Sequence, residues 1–422
     1  MNRLLDYLLT KVIKRGTLQV TWSDGSVKSY GRRSPGFAAH VQFHSKAAER
    51  GVALNPELAV GEAYMSGELT FSDASGPLAF LQLADDNWAG LRDLAWTKAL
   101  ARLRYLTRRW RQDNDVKGAK KNVSHHYDLD ERLYRLFLDS DMQYSCAYFE
   151  DVGDDIDKAQ AAKKRHIAAK LALKPGVSVL DIGCGWGGLG LALARLGAGH
   201  ITGVTLAEEQ RRVASDRARA AGLQSRLSFE VKDYRALSGP FDRIVSVGMF
   251  EHVGVSHYQE FFDSAVRLLA PDGVMLLHSI ARFGRPAASN PWVTKYIFPG
   301  GYVPALSEVM PAIERSGLYV TDIEVMRLHY AETLKAWRAR FRAHWDEAAR
   351  LYDERFCRMW DFYLAAFESC FRDGTLMVVQ IQLVKDLKAL PLTRDYMFNT
   401  EERYRANEEF SGARVVPLRS AN

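Results

Sequence analysis

Residues 179–188 read VLDIGCGWGG. A short apolar run ends in Asp181, and glycine then stands at 183, 185, 187 and 188. Glycine at that density lets a chain turn tightly after a strand and lets a ligand come close to the backbone. Gly183, Gly185 and Gly188 also satisfy the spacing of a dinucleotide-binding turn. Three neighbours argue for a different ligand. Asp181 puts a carboxylate where a pyrophosphate would be repelled and the ammonium of an amino acid would be held. The second strand ends in Thr205, without the acidic residue that grips a dinucleotide ribose. Trp186 is bulky for a phosphate cradle. The stretch therefore points to S-adenosylmethionine rather than NAD.

Outward from it, strand-like and helix-like segments alternate from about residue 159 to 285. The helical stretch AQAAKKRHIAAKLAL leads into VSVLDIG, and GGLGLALARLG follows. HITGVTL, AEEQRRVASDRARAAG, LSFEVKD, DRIVSVG, YQEFFDSAVRLLA and VMLLHSI complete the series. Such alternation predicts an α/β fold with a doubly wound, mostly parallel, Rossmann-like sheet, binding at the carboxyl ends of its strands. Residues 285–375 read as a helical lid. Within them PWVTKYIFPGGYVP is aromatic and rich in breakers, and 331–371 carry aromatics every three to four residues, a core stripe. LMVVQIQLVK reads as a last strand before a polar tail.

The 422 residues accommodate about two domains. The predicted division is a small α+β amino-terminal domain over 1–97, a basic linker over 98–122 and an S-adenosylmethionine-dependent domain over 123–422. TLQVTWSDGSVKSY at 17–30 alternates around Asp24-Gly25, a hairpin signal. MNRLLDYLLTKVIKRG is a helical stripe that includes Asp6 and lacks a cleavage site, so it reads as a docking helix and not a signal peptide. Between 98 and 121, nine Lys and Arg stand against Asp113 and Asp115. That charge suits docking on an anionic phospholipid membrane surface; no nucleic-acid motif accompanies it. The net charge of +6 is compatible with anionic partners and diagnostic of none. Cys146, Cys184, Cys357 and Cys370 show neither zinc nor disulfide spacing, which predicts reduced thiols in a cytoplasm and no metal. No apolar run reaches the length of a membrane span.

VLDIGCGWGGL, VTLAEEQ, DRIVSVGMFEHVG, SHHYDLDERLYRLFLDSDMQYSCAYFE and NPWVTKYIFPGG, in that fold, resemble the cyclopropane-fatty-acyl-phospholipid synthases and the related mycolic acid methyltransferases. The likeness runs from about 120 to 390. GEAYMSGELTF at 61–71 is similar to the amino-terminal domain of the longer bacterial synthases. The resemblance implies a cytoplasmic enzyme on the inner membrane face. It would methylate the double bonds of phospholipid acyl chains with S-adenosylmethionine, and would work as a homodimer. Tyr144 and Ser145 would line the cofactor pocket, with Gly183 and Gly185 at the methionine part. Thr205 and Gln210 would reach the ribose, and Asp233 and Tyr234 the adenine. Glu251, His278 and Tyr330, with backbone at Cys146 and Ile280, would hold a bicarbonate ion as base. His252 and the pair His125–His126 are secondary candidates. Relatives often carry a cysteine at the place of Phe367; here Cys370 lies three residues on, which turns it about 300° round the helix and makes it a core residue. The expected product is a cyclopropane. The alternatives are a methyl-branched or methylated unsaturated chain, methylation of a soluble small molecule, against which the basic linker and the family's lipid substrate argue, and, in a different class, an inactive lipid-binding protein.

Overall fold

A computed structural model describes residues 1–32, 36–87 and 130–411. The basic stretch 98–122 and the pair His125–His126 lie outside the described residues. Those that are described form two compact units.

One unit comprises the described residues of Met1–Arg111 with Ala287–Pro299 and Leu334–Leu376. Much of the stretch read as a lid thus groups with the amino-terminal residues. Its four-stranded sheet has the order β2-β1-β3-β4, where β1 is Thr17–Thr21, β2 Val27–Gly31, β3 Ala38–Phe43 and β4 Leu69–Phe71. β1 and β2 pair antiparallel, as the Asp24-Gly25 turn predicts, and Gly25 takes a φ of 81° there. The amino-terminal stripe forms the helix Arg3–Val12, capped by the Asn2 side chain. It buries Leu5 but leaves Leu4 and Tyr7 exposed. The helix Glu354–Arg372 packs on Pro56–Met65 and Pro77–Asp86. Asp361, buried on it, accepts from Tyr64 Oη at 3.0 Å and from Arg338 Nε at 2.8 Å. Trp337, Trp360 and Tyr363 are buried, as a core stripe requires. Cys370 is half-buried instead of core, because with Ala366 one turn earlier it lies on the partly exposed side of the helix, while Ser369 and Phe371 beside it are buried.

The other unit comprises the described residues of Gln112–Pro286, Gly300–Thr333 and Met377–Asn422. It holds a seven-stranded sheet of order β10-β11-β9-β8-β5-β6-β7. These strands are β5 Val179–Ile182, β6 Ile201–Thr205, β7 Leu227–Val231, β8 Phe241–Val247, β9 Leu269–Arg282, β10 Tyr319–Val325 and β11 Leu376–Val384. From β7 through β9 every pairing is parallel; β10 and β11 pair antiparallel. The fold is Rossmann-like and mostly parallel, as predicted. β5 is buried at all four residues, the signature of a strand covered on both faces. Because β6 lies to one side of β5 and β8 to the other, the strand order reverses at β5. That is where such sheets open a crevice.

The polar tail is instead a helix, Asp395–Ser411, packed on the helix Ile156–Lys170. Its inner face carries Met397, Glu401 and Tyr404. Glu401 meets His166 Nδ1 at 2.6 Å, and His166 Nε2 meets Glu324 at 2.7 Å. A face with a glutamate at its centre, flanked only by Met397 and Tyr404, does not register as an apolar stripe.

Candidate active site

The turn after β5 is built on left-handed glycines. Gly183 has a φ of 84°, a region that side-chain-bearing residues avoid. A Cβ on Gly188 would lie 2.3 Å from Gln143 Nε2 and 2.5 Å from Asp141 Oδ2. The loop is thus pressed against the segment that precedes the helix Ile156–Lys170. Arg217 fastens the two, donating to Trp186 O at 2.7 Å and to the Asp141 carboxylate.

A cavity of about 1230 Å³, counting the part open to solvent, lies over this turn. All nine residues expected to bind cofactor line it: Tyr144 and Ser145, Asp181, Gly183 and Gly185, Thr205 and Gln210, Asp233 and Tyr234. Asp181 is buried, and its Oδ2 has no hydrogen-bond partner. Burial pushes its carboxyl up to about 7, against the pull of Lys163. An orphaned carboxylate oxygen in a cavity calls for a cationic ligand, because burying a charge without a partner is costly. The Thr205 hydroxyl donates to Gln210 Oε1 at 2.7 Å, which leaves the Gln210 amide N–H groups as the donors for a ligand. Asp233 caps the turn Tyr234–Ala236 and is paired with Arg235, whose Nη2 lies 2.7 Å away. Trp186 packs into an aromatic group, its ring tilted against that of Tyr134 at 4.8 Å, which meets Tyr144 edge-on at 5.4 Å. Its bulk fills a wall of the cavity.

The residues expected to hold a base do not line this cavity; of the histidine candidates, His252 does. Burial lowers the His252 imidazole to about 4. Glu251 Oε1 accepts from the Ile280 N–H at 2.5 Å, while Oε2 has no partner. The Ile280 N–H is thus engaged by Glu251 and is not an open donor, contrary to the expectation for its backbone. Burial pushes the Glu251 carboxyl up to about 7. His278, two residues before Ile280 on β9, is buried and held down to about 3, first by burial and then by Lys163 and Lys170. It is a neutral imidazole. Gln380 Nε2 lies 3.1 Å from its Nδ1. An amide N–H only donates, so Nδ1 accepts and the ring proton sits on Nε2.

Cys146 and Tyr330 are brought together by their neighbours. The Ala147 N–H donates to Thr333 Oγ1 and the Phe149 N–H to His329 Nδ1, each at 3.0 Å. The segment carrying Cys146 is therefore laced to the first turn of the helix His329–Ala343, which carries Tyr330. Both are buried, and burial pushes the Cys146 thiol well up, away from thiolate chemistry.

Three polar residues were missed from sequence. Gln160 and Lys163 lie one turn apart on the helix Ile156–Lys170 and grip the segment before Cys146. Gln160 Nε2 donates to Ser145 O at 2.9 Å; Lys163 Nζ donates to Ser145 Oγ at 2.7 Å and Gln143 Oε1 at 2.8 Å. Gln380 sits in the apolar run of β11. A polar residue in an otherwise fully buried strand was the available signal.

Residues 114–381 match the family described as mycolic acid cyclopropane synthetase. The chain belongs to that family. It is an S-adenosylmethionine-dependent C-methyltransferase of the cyclopropane synthase type. Residues 5–75 match a family described as a domain of unknown function. The chain is 43% identical over 256 residues to the cyclopropane-fatty-acyl-phospholipid synthase of Escherichia coli, covering 61% of this chain and 65% of that enzyme, just under two thirds. It is 34% identical over 402 residues to the tuberculostearic acid methyltransferase of Mycobacterium tuberculosis, covering 91% of each. Among solved structures, the mycolic acid cyclopropane synthase CmaA1 complexed with SAH and CTAB matches with a TM-score of 0.59 and 33% identity, over 63% of this chain and 97% of that one.

Proposed function

We propose that this chain methylates the double bond of an unsaturated acyl chain in a membrane phospholipid, using S-adenosylmethionine, and closes the product to a cyclopropane. The observation that carries the cofactor is Asp181, a buried carboxylate with an orphaned oxygen in the wall of the cavity over the β5 turn. It suits the ammonium of the methionine moiety. Gln210 and Asp233 would take the ribose and adenine. The acyl substrate rests on the family and on the Escherichia coli relative.

An alkene is a weak nucleophile with no proton to remove before attack, so the protein contributes alignment in a dry site. Attack leaves a cation on the acyl chain, and loss of a proton from the new methyl group closes the ring. Bicarbonate, when bound, would supply the base. The residues fit a small anion: Glu251 near neutrality is substantially protonated, with Oε2 left to donate, and neutral His278 offers its Nε2–H. Tyr330 and backbone at Cys146 would complete the cradle. No long charged side chain has to be desolvated beside the apolar substrate.

The tuberculostearic acid methyltransferase, similar along 91% of the chain, favours a second reading. The first cation is the same, but it loses its proton elsewhere, and the product is methyl-branched or methylated and unsaturated. We also propose peripheral membrane association through the basic stretch 98–121.

The test is incubation of the purified protein with liposomes of unsaturated phospholipid, S-adenosylmethionine and bicarbonate, followed by mass spectrometry and proton NMR of the fatty esters. A gain of one CH2 with upfield ring protons supports the cyclopropane. The same mass gain with a retained alkene signal supports the second reading. No gain despite cofactor binding defeats both and leaves a soluble small-molecule substrate or an inactive lipid-binding protein.

A further inference from the structure

Lys163 is fully buried, lines the cofactor cavity and donates only to the neutral acceptors Gln143 Oε1 and Ser145 Oγ. Among the described residues no carboxylate lies within salt-bridge distance of its ammonium. The same cavity holds Asp181, whose free oxygen matches one positive group of S-adenosylmethionine. That cofactor carries a second positive group, the sulfonium, and its product carries none there. A buried ammonium without an ion-pair partner is a poor neighbour for a second cation.

We propose that Lys163 is a charge-sensing specificity residue of the cofactor cavity: it gives up a proton to solvent when the sulfonium-bearing cofactor enters and keeps it when the neutral thioether product is bound. The site would thereby tell donor from spent product by charge, and would do so in a pH-dependent way. The inference rests on the assignment of this cavity to S-adenosylmethionine.

The charged and titratable groups around Lys163 agree with a poised proton. Burial lowers its ammonium to about 8, while Asp139, Cys146 and Asp141 pull upward and Lys164 pushes further down. Asp181 and His278 complete the surroundings. Asp181 titrates near 7 and will also shed its proton on meeting a ligand ammonium. That ammonium is common to cofactor and product, so its contribution cancels when the two are compared.

The experiment is calorimetric titration of the full chain with S-adenosylmethionine and with S-adenosylhomocysteine, in buffers of different ionisation enthalpy, between pH 6.5 and 8.5. Protons released by the cofactor should exceed those released by the product by about 0.9 at pH 7 and about 0.2 at pH 8.5, for a group titrating near 8. The affinity ratio of cofactor to product should rise about fivefold between pH 7 and 8. Lys163→Met should abolish the difference in proton release, and retained binding of the product would show its pocket to be folded. Lys163→Arg, which cannot deprotonate, should weaken the cofactor selectively. Equal proton release by the two ligands in the wild type would overturn the role of Lys163 and leave the cofactor assignment standing. Failure of both ligands to bind would overturn the assignment, and this inference with it.

Discussion

Asp181→Asn should weaken the enzyme as a binder and strengthen it as a fold. A hydrogen bond to a charged group contributes about 1.5–3 kcal/mol. Losing one from Asp181 to the ligand ammonium therefore predicts a fall in S-adenosylmethionine affinity of about 10- to 150-fold. The stability effect has the opposite sign. Burial raises the Asp181 carboxyl from 3.8 to about 7 in the folded chain, so between those values the folded state binds the extra proton. Stability from this group is present below the ordinary carboxylate value and is lost as pH rises toward 7. The full shift is worth at most about 4 kcal/mol above pH 7, and relaxation of the site will reduce it. Asparagine removes the buried charge, so without ligand the variant should melt about 2–8 °C higher at pH 8, with the gain vanishing near pH 4. Differential scanning calorimetry and calorimetric titration read the two effects separately. A variant that binds cofactor as well as the wild type, or melts lower at pH 8, would refute the reasoning that Asp181 is an unpaired charge kept for a cation.

Glu251→Gln should cut product formation by about 10²–10⁴-fold while S-adenosylhomocysteine binds within about twofold, since Glu251 does not line the cavity; turnover on liposomes and titration check this. Glu401→Ala breaks a buried pair with His166 and should cost about 3 kcal/mol, with faster amide exchange in the helix Asp395–Ser411. The His166 pKa is raised despite its burial, by hydrogen bonds to Glu324 and Glu401. The cost should therefore be largest below the ordinary histidine value and shrink as pH rises through the raised one. Gly203→Ala would put a Cβ 2.6 Å from the Phe229 ring and should cost about 1–3 kcal/mol by overpacking, read as a lower melting temperature.

What could be read from the sequence was what local chemistry dictates. The β5 turn announced itself because tight backbone geometry needs glycine, and the ligand followed from Asp181, Thr205 and Trp186, all within two βα units. The alternation from 159 to 285 came through because period and length distinguish strand from helix. What was missed depends on contacts between distant segments. Lys163 stands in a run of helical lysines, and nothing local says that it is buried without an ion pair while Lys164 pairs with Asp141 and Lys170 with Glu324. The helix Asp395–Ser411 is anchored by Glu401 against a histidine 235 residues earlier, a pairing that interrupts the stripe of Met397 and Tyr404 and that no local pattern announces. Ala287–Pro299 and Leu334–Leu376 join the amino-terminal residues through interactions such as Trp292 Nε1 to Met65 Sδ at 3.3 Å, which no periodicity encodes.

The site residues share one physical condition. Asp181 and Glu251 titrate near 7, Lys163 near 8, and His252 and His278 are held neutral. Burial is the leading cause in each case. Only interactions that strengthen as positive charge leaves the sulfonium for the acyl chain speed the reaction, since uniform binding does not. Groups poised near neutrality can change charge as the ligand does. Asp181 can meet incoming positive charge, Glu251 can keep its proton to hold an anion, and the lysine can yield to the cofactor. Dry surroundings then strengthen each interaction that forms. The cost is a fold that holds unpaired buried groups, which is why Asp181→Asn is expected to stabilise the chain that it disables.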